Sequence, residues 1–169
     1  MSILTREFFE QPTLKVARDL LGKFLIRKIG NKKLSFVITE VEAYDGLYDK
    51  ASHAHKGKTP RNAPMFGRAG VWYVYFTYGM HFMLNIVTGQ KDYPAAVLIR
   101  GIKDINGPAR LTKFLKIDKK FNNKPAVPKT GLWIEDRGVK IKKSQVKTSP
   151  RIGISYAEEW KDKHYRFYL

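Results

Sequence analysis

The sequence predicts a single α+β domain, residues 1–169, built around an antiparallel-rich sheet with short flanking helices. Three observations lead there. Apolar runs with a period of two follow one another through tight glycine turns, as antiparallel strands do. Helical stripes are few and short. The chain of 169 residues is 43% hydrophobic and 13% aromatic, enough for one core and too apolar for global disorder.

Taken in order, Thr13 reads as an N-cap, Leu14, Ala17, Leu20 and Leu21 as an apolar stripe, and Gly22 as the helix stop. KFLIRKI (23–29) and LSFVITEVEAY (34–44) read as strands joined through Gly30-Asn31 as a hairpin. Residues 45–70 form a glycine- and proline-punctuated loop of a length more often functional than idle. Strands are expected at 71–78, 80–88 and 95–100. Asn106-Gly107-Pro108 then opens a helix with Leu111, Phe114 and Leu115 inward. Residues 116–130 read as a mobile basic loop; GLWIED (131–136) and 138–147 read as strands. Ser155 and Glu158 have capping-box spacing for a short helix through Trp160, and HYRFYL closes the chain as a strand. No internal repeat is present.

Charge narrows the function classes. Lys and Arg number 32 against 15 Asp and Glu, a formal net charge of +17. Such an excess suits a polyanionic partner, DNA or RNA first; a lysine-rich surface without a partner is the alternative. No run approaches the roughly 20 apolar residues of a membrane helix. MSILTREFFEQP meets acidic residues too early for a secretory signal, so a cytoplasmic setting is expected. Cysteine is absent, which excludes disulfides and thiolate metal sites. His53 and His55 lie two apart without an established zinc spacing, so no metal is expected.

Two stretches carry the chemistry. In SFVITEVEAY, strict alternation puts Val37, Thr39, Val41 and Ala43 on one face and Phe36, Ile38, Glu40, Glu42 and Tyr44 on the other. Two carboxylates on an apolar face either pair with lysines at a solvated end or serve a reaction. In VWYVYFTYGMHFMLN (71–85), Tyr73, Tyr75 and Thr77 share a face opposite Trp72, Val74, Phe76 and Tyr78. That tyrosine face packs with bonded hydroxyls or stacks a flat base. Gly79 marks a bend, so Tyr78 and Met80 stand at a hairpin tip, as a DNA wedge, or fold back inside. Asn85 is a polar group in an apolar run, and Arg100 ends a buried strand within pairing reach of a carboxylate such as Glu42.

The runs TEVEAYDG, ASHAHKGKTPRN, MFGRAGVWYVYFTYGMHFMLNIVT and VLIRG, in this order and at these intervals, resemble the alkyladenine (3-methyladenine) DNA glycosylase family. NGPARL (106–111), RIGI (151–154) and the closing RFY extend the resemblance over most of the chain. It implies a curved, open-barrel-like antiparallel sheet, no cofactor, and a monomer acting on double-stranded DNA that carries a damaged purine. It also implies monofunctional hydrolysis of the N-glycosidic bond after base flipping, leaving an abasic site. By the same resemblance Glu42 is the general base and Arg100 helps hold the attacking water. Tyr44, His53 and Tyr75 form the base walls, and Tyr78 with Met80 is the wedge. Asn85 rejects guanine by crowding its exocyclic amine. The rival expectation is a non-catalytic damaged-DNA-binding module of the same fold, which has no need of Glu42 beside a sugar-phosphate backbone.

Overall fold

The computed structural model describes all 169 residues. The chain begins with β1 (Ser2–Ile3), α1 (Arg6–Phe9), α2 (Thr13–Leu20), β2 (Phe24–Ile29) and β3 (Lys32–Asp45). It continues through β4 (Trp72–Thr77), β5 (His81–Val87), β6 (Ala95–Ile102), β7 (Ile105–Asn106) and α3 (Pro108–Phe114). The last strands are β8 (Leu132–Asp136), β9 (Lys147–Ser149) and β10 (Arg166–Tyr168). All ten strands pair antiparallel in the order β1-β8-β2-β3-β6-β5-β4, with β7 beside β6, and β10 between β3 and β9. The path has two ends that do not meet, so the sheet is open. No helix is long and apolar enough to cross a membrane.

The sheet has unlike faces. On one, α2 and α3 bury Val16, Ala17, Leu20, Leu111 and Leu115 against Val41, Trp72, Leu84 and Ile99 in a 26-residue core. A much smaller cluster, including Met65, Tyr73 and Ala96, lies on the other. The face that α2 and α3 do not cover is where a cleft can open.

Strand β3 changes partners halfway along. Lys32–Val37 pair with β2; Ile38–Asp45 pair with β6, and Glu40–Glu42 also pair with β10. At the change the register with β6 slips between Ile38 and Glu40 and again between Glu40 and Val41, leaving Thr39 and Arg100 without cross-strand partners. This bulge corrects the strict alternation expected from sequence. Ile38 is fully buried in the same core as Val41 and Ala43 instead of sharing the face of Glu42. The extra residue resets the parity, so the strand presents apolar side chains to the core before and after it. Gly101 permits the close approach: a Cβ there would lie 3.1 Å from the Glu40 Cβ and 3.2 Å from the Thr39 hydroxyl.

Elsewhere the structure adjusts several expected boundaries. Thr13 is the first helical residue of α2, after Pro12, and its buried hydroxyl accepts from Thr88 at 3.2 Å instead of capping. Phe114 is exposed, its ring edge-on to Phe36, while Leu111 and Leu115 are buried as expected. Residues 116–130 are a packed border of β4: Phe121 and Ala126 are buried, the Trp72 N–H donates to the Lys124 carbonyl, and the Val74 N–H to Asn122 Oδ1. This segment covers the free edge of β4, a role its lysines and prolines disguise. Only Lys147–Ser149 of the strand expected near 138–147 forms, after a 3-10 turn at Lys143–Gln145. The helix expected from Ser155 is a 3-10 turn at Glu158–Asp162 with Ala157, not Ser155, at its cap.

The bulge yields a stability prediction. Gly101→Val forces β-branched carbon into the space beside Glu40 and Thr39, and should lower unfolding free energy by about 1–3 kcal/mol. A shift in the denaturant midpoint at unchanged slope measures it; an unshifted midpoint would show that the contact is slack.

Candidate active site

The face opposite the main core holds a cavity of about 290 Å³, close to the lower end of ligand clefts, roughly 300–1,000 Å³. Glu42, Tyr44, His53, Tyr75, Tyr78, Asn85 and Arg100 all line it; Met80 does not. Four elements deliver them. β3 supplies Glu42 and Tyr44 from one face beyond the bulge, β4 supplies Tyr75, β5 supplies Asn85, and β6 supplies Arg100 at the bulge itself. His53 comes from the long loop after β3.

Glu42 is wholly shielded from solvent. Its Oε2 accepts from the Tyr44 hydroxyl at 2.9 Å, and its Oε1 from the Ile152 backbone N–H at 2.8 Å. Arg100 Nε lies 3.5 Å from Oε1 but 3.0 Å from Glu40, which also accepts from Arg166 at 2.7 Å. Glu40 is thus the principal counter-ion of both arginines, and Glu42 holds only the looser contact. Burial pushes the Glu42 carboxyl above its ordinary value, and Arg100, the Ile152 N–H, Tyr44 and Arg151 only partly offset that. Glu135 shows the opposite balance. It is also buried, but hydrogen bonds from Arg137, Trp133 and Lys33 overcome the desolvation and hold it below the carboxylate range.

Rings wall the cavity. Tyr44 is raised well above the phenol value by burial and then by the Glu42 charge, so it stays a neutral donor. Burial likewise pushes Tyr73 up to about 12 and raises Tyr75. His53 stands at the rim, its Nδ1 3.0 Å from the Tyr73 hydroxyl and its ring 4.5 Å from Tyr75 at 66°. Desolvation of its inner side, then the Arg61 charge, lowers its pKa, so the ring is neutral near pH 7. Asn85 is buried, its amide donating to the Tyr73 carbonyl across the strand pair at 3.1 Å.

Tyr78 and Met80 occupy the hairpin tip between the paired Thr77 and His81, and neither folds back: they are 79% and 67% exposed. Tyr78 has φ +51, a left-handed conformation that costs a bulky residue about 1–2 kcal/mol. The strain carries its ring onto the cavity rim and away from the core face shared by Trp72 and Val74.

The C-terminal segment also enters the site, and no role was assigned to it from sequence. Ile152 supplies a backbone donor, which leaves no side-chain signature. Tyr156 lines the cavity while 65% exposed, its hydroxyl donating to the Ala51 carbonyl at 3.3 Å. Arg151 and Asp49 form a fully buried pair behind Tyr44. In a chain so rich in cations, Arg151 could have been singled out only through the RIGI run. His53 and His55 do not converge: the His55 Nδ1 meets the Leu47 carbonyl at 2.8 Å, and no group of three acidic or histidine side chains is placed to hold a metal.

A family model described as methylpurine-DNA glycosylase matches residues 7–105 and 103–169. A protein of Wolbachia pipientis is 45% identical, covering 98% of this chain and 93% of its own. One of Methanocella arvoryzae is 41% identical over 99% and 92%, and one of Borreliella burgdorferi 42% identical over 98% and 95%. All three carry the name 3-methyladenine DNA glycosylase.

The Glu42 environment makes stability depend on pH in a defined direction. Its folded pKa is raised above the unfolded value, so the carboxyl disfavours folding only once it ionises, and stability falls as pH rises through the folded pKa. Glu42→Gln lacks that loss. Its unfolding free energy relative to the unaltered protein should therefore climb with pH across this window, measured by denaturant titration; a pH-independent difference would contradict the raised pKa.

Proposed function

The chain belongs to the methylpurine-DNA glycosylase family, and from that premise we propose how its cleft releases an alkylated purine. The protein is a DNA glycosylase, a hydrolase of N-glycosyl bonds. The observation that carries the reading is Glu42: a dry carboxylate with a raised pKa, beside an arginine and a backbone N–H, at the floor of an aromatic cleft.

In this reading the damaged nucleotide leaves the duplex and its base enters among Tyr44, Tyr75 and His53, while Tyr78 takes its place in the stack. Met80, outside the cavity but beside Tyr78 at the same exposed tip, supports the wedge against the duplex. An alkylated purine carries positive charge, and each aromatic contact then adds on the order of 0.5–2 kcal/mol. The bond from the sugar C1′ to the purine nitrogen breaks with its electron pair going to the base, which neutralises the cation. The sugar passes through an oxocarbenium-like state. Glu42 takes a proton from water as the water oxygen bonds C1′, and its negative charge stabilises the developing cation. Arg100 helps hold that water. Asn85 crowds the exocyclic amine that guanine carries and adenine derivatives lack at that position.

The net charge of +17 supplies phosphate contacts for position and search. Sequence-selective base contacts are not required, because the lesion is recognised by entry into the cleft. We infer a monomer associated with DNA in the cytoplasm, the simplest state for an enzyme that slides along a duplex.

The test is incubation, without metal, with duplexes carrying an alkylated adenine or hypoxanthine, abasic sites being revealed by alkali. Glu42→Gln should lower single-turnover release by about 10²–10⁴-fold and leave lesion-duplex binding in place. Binding without release by the unaltered protein on both lesions would establish a damage-binding module. Asn85→Ala should raise release of undamaged guanine relative to alkylated adenine; an unchanged ratio would remove Asn85 from specificity.

A further inference from the structure

The Arg151–Asp49 pair is buried on both sides, with no solvent reaching either side chain. Arg151 Nη1 donates to Asp49 at 2.6 Å and to the Ala43 carbonyl at 2.8 Å, and Nη2 donates to the other Asp49 oxygen at 2.8 Å. Asp49 in turn accepts from the N–H groups of Asp45 and Ala51, both at 3.0 Å. The pair therefore ties the end of β3, the loop that leads to His53, and the C-terminal segment into one unit.

Two connections lead from this unit to Glu42. The guanidinium carbon lies 4.8 Å from the centre of the Tyr44 ring, whose hydroxyl donates to Glu42. The next residue is Ile152, whose N–H donates to the other Glu42 oxygen. Ile152 is itself half exposed, so the buried Arg151 beside it is the nearer anchor for its backbone. One nitrogen of Arg151, Nε, is buried without a partner. A guanidinium placed only to bind the fold together would be expected to use all its donors. Here the orientation that serves Asp49, Ala43 and the Tyr44 ring leaves one unmet.

We propose that Arg151, locked by Asp49, is a positioning residue for the reaction: it fixes the Tyr44 ring and the Ile152 N–H, the two groups that hold the Glu42 carboxylate. The inference rests on the reading of Glu42 as general base. The charged and titratable groups around Glu42 are Arg100 from β6, Glu40 and Tyr44 from β3, Tyr75 from β4, Arg166 from β10, and the Arg151–Asp49 pair behind Tyr44. Among them, the pair alone can be neutralised without touching the cavity lining or the Glu40–Arg100–Arg166 cluster.

The experiment follows Glu42 directly, by NMR titration of isotope-labelled glutamate carboxyls in the free protein, with Glu42→Gln assigning the signal. Alongside it runs the acid limb of single-turnover release from an alkylated-adenine duplex. Arg151→Gln removes a cation and frees the Ile152 N–H, so the Glu42 midpoint and the acid limb should both move to higher pH. The plateau rate should fall about 10–100-fold, the scale of a misplaced catalytic group, with lesion-duplex affinity little changed. Asp49→Asn leaves the Arg151 charge unbalanced and should move the midpoint to lower pH. The double variant buries no unpaired charge, and it decides the matter if either single variant fails to fold; it should follow Arg151→Gln. A Glu42 midpoint that stays put in the double variant while only the melting temperature falls would make the pair a structural fastener and overturn the proposal. A shifted midpoint in a protein that releases no base from either lesion would refute the glycosylase reading and leave the positioning intact.

Discussion

The cleft depends on keeping one carboxylate both dry and ionisable. Removing a charge from water costs several kcal/mol unless partners return the difference. A full bidentate Arg100–Glu42 pair would return too much, because it would pull the carboxyl far below its ordinary value and leave a feeble base for the reaction proposed above. The structure avoids this by giving Arg100 a better partner. Glu40 lies 3.0 Å from Arg100 and accepts from Arg166 as well, so Glu42, at 3.5 Å, shares the cation instead of holding it alone; Arg100 is still its strongest compensation, and it falls short of the burial cost. What remains for Glu42 is two neutral donors and a partial charge, and its pKa stays raised.

That division of two glutamates, two residues apart, rests on the bulge. A regular β3 would give Ile38, Glu40 and Glu42 one face, leaving either an isoleucine in the cleft or carboxylates in the core. The paired slips at Thr39 and Arg100 let β3 bury Ile38 and Val41 in the same core, and the arginine without a cross-strand partner ends up beside the glutamates. Bulges often re-aim a side chain beside a site, and here one re-aims two strands at once. The helix-backed face then needs no chemistry. It carries the 26-residue core, and the opposite face is free to hold poorly compensated groups.

The parts of this arrangement that were legible in the sequence are those with a local signature. Period-two runs and turn glycines located most strands and the β2–β3 hairpin, and the aromatic block marked one wall of the cleft. The bulge was not read because Gly101, a residue type that can mark one, stood just past the expected strand 95–100, Thr39 looks like an ordinary strand residue, and the slip arises from the pairing of two distant segments. Residues 116–130 read as a loose basic loop since lysine and proline dominate, yet Phe121 and Ala126 were enough to seat them on β4. The contact between Ile152 and Glu42 could not be read at all: a backbone donor 110 positions away has no residue type. Arg151 was visible only as one cation in an excess of them.

Low exposure by itself did not separate the site from the scaffold. Glu42 and Glu135 both expose almost no surface, but Glu135 lies under a thinner cover, is satisfied by three side chains and sits below its ordinary pKa, whereas Glu42 is deeper, under-compensated and above. The same mismatch recurs around the cleft. Tyr78, left-handed beside a left-handed Gly79, fills a central position of a primed hairpin turn that glycine, asparagine or aspartate occupies at lower cost, and Arg151 keeps a buried nitrogen without a partner. Each is a local loss that packing elsewhere offsets, and all three lie within or directly behind one cavity. In a marginally stable chain such losses are not peculiar to the cavity, since Lys116 and Glu158 are also left-handed and the Ser35 hydroxyl is also buried without a partner; what distinguishes the cavity is that they surround an under-compensated carboxylate, the combination on which the proposed reaction draws.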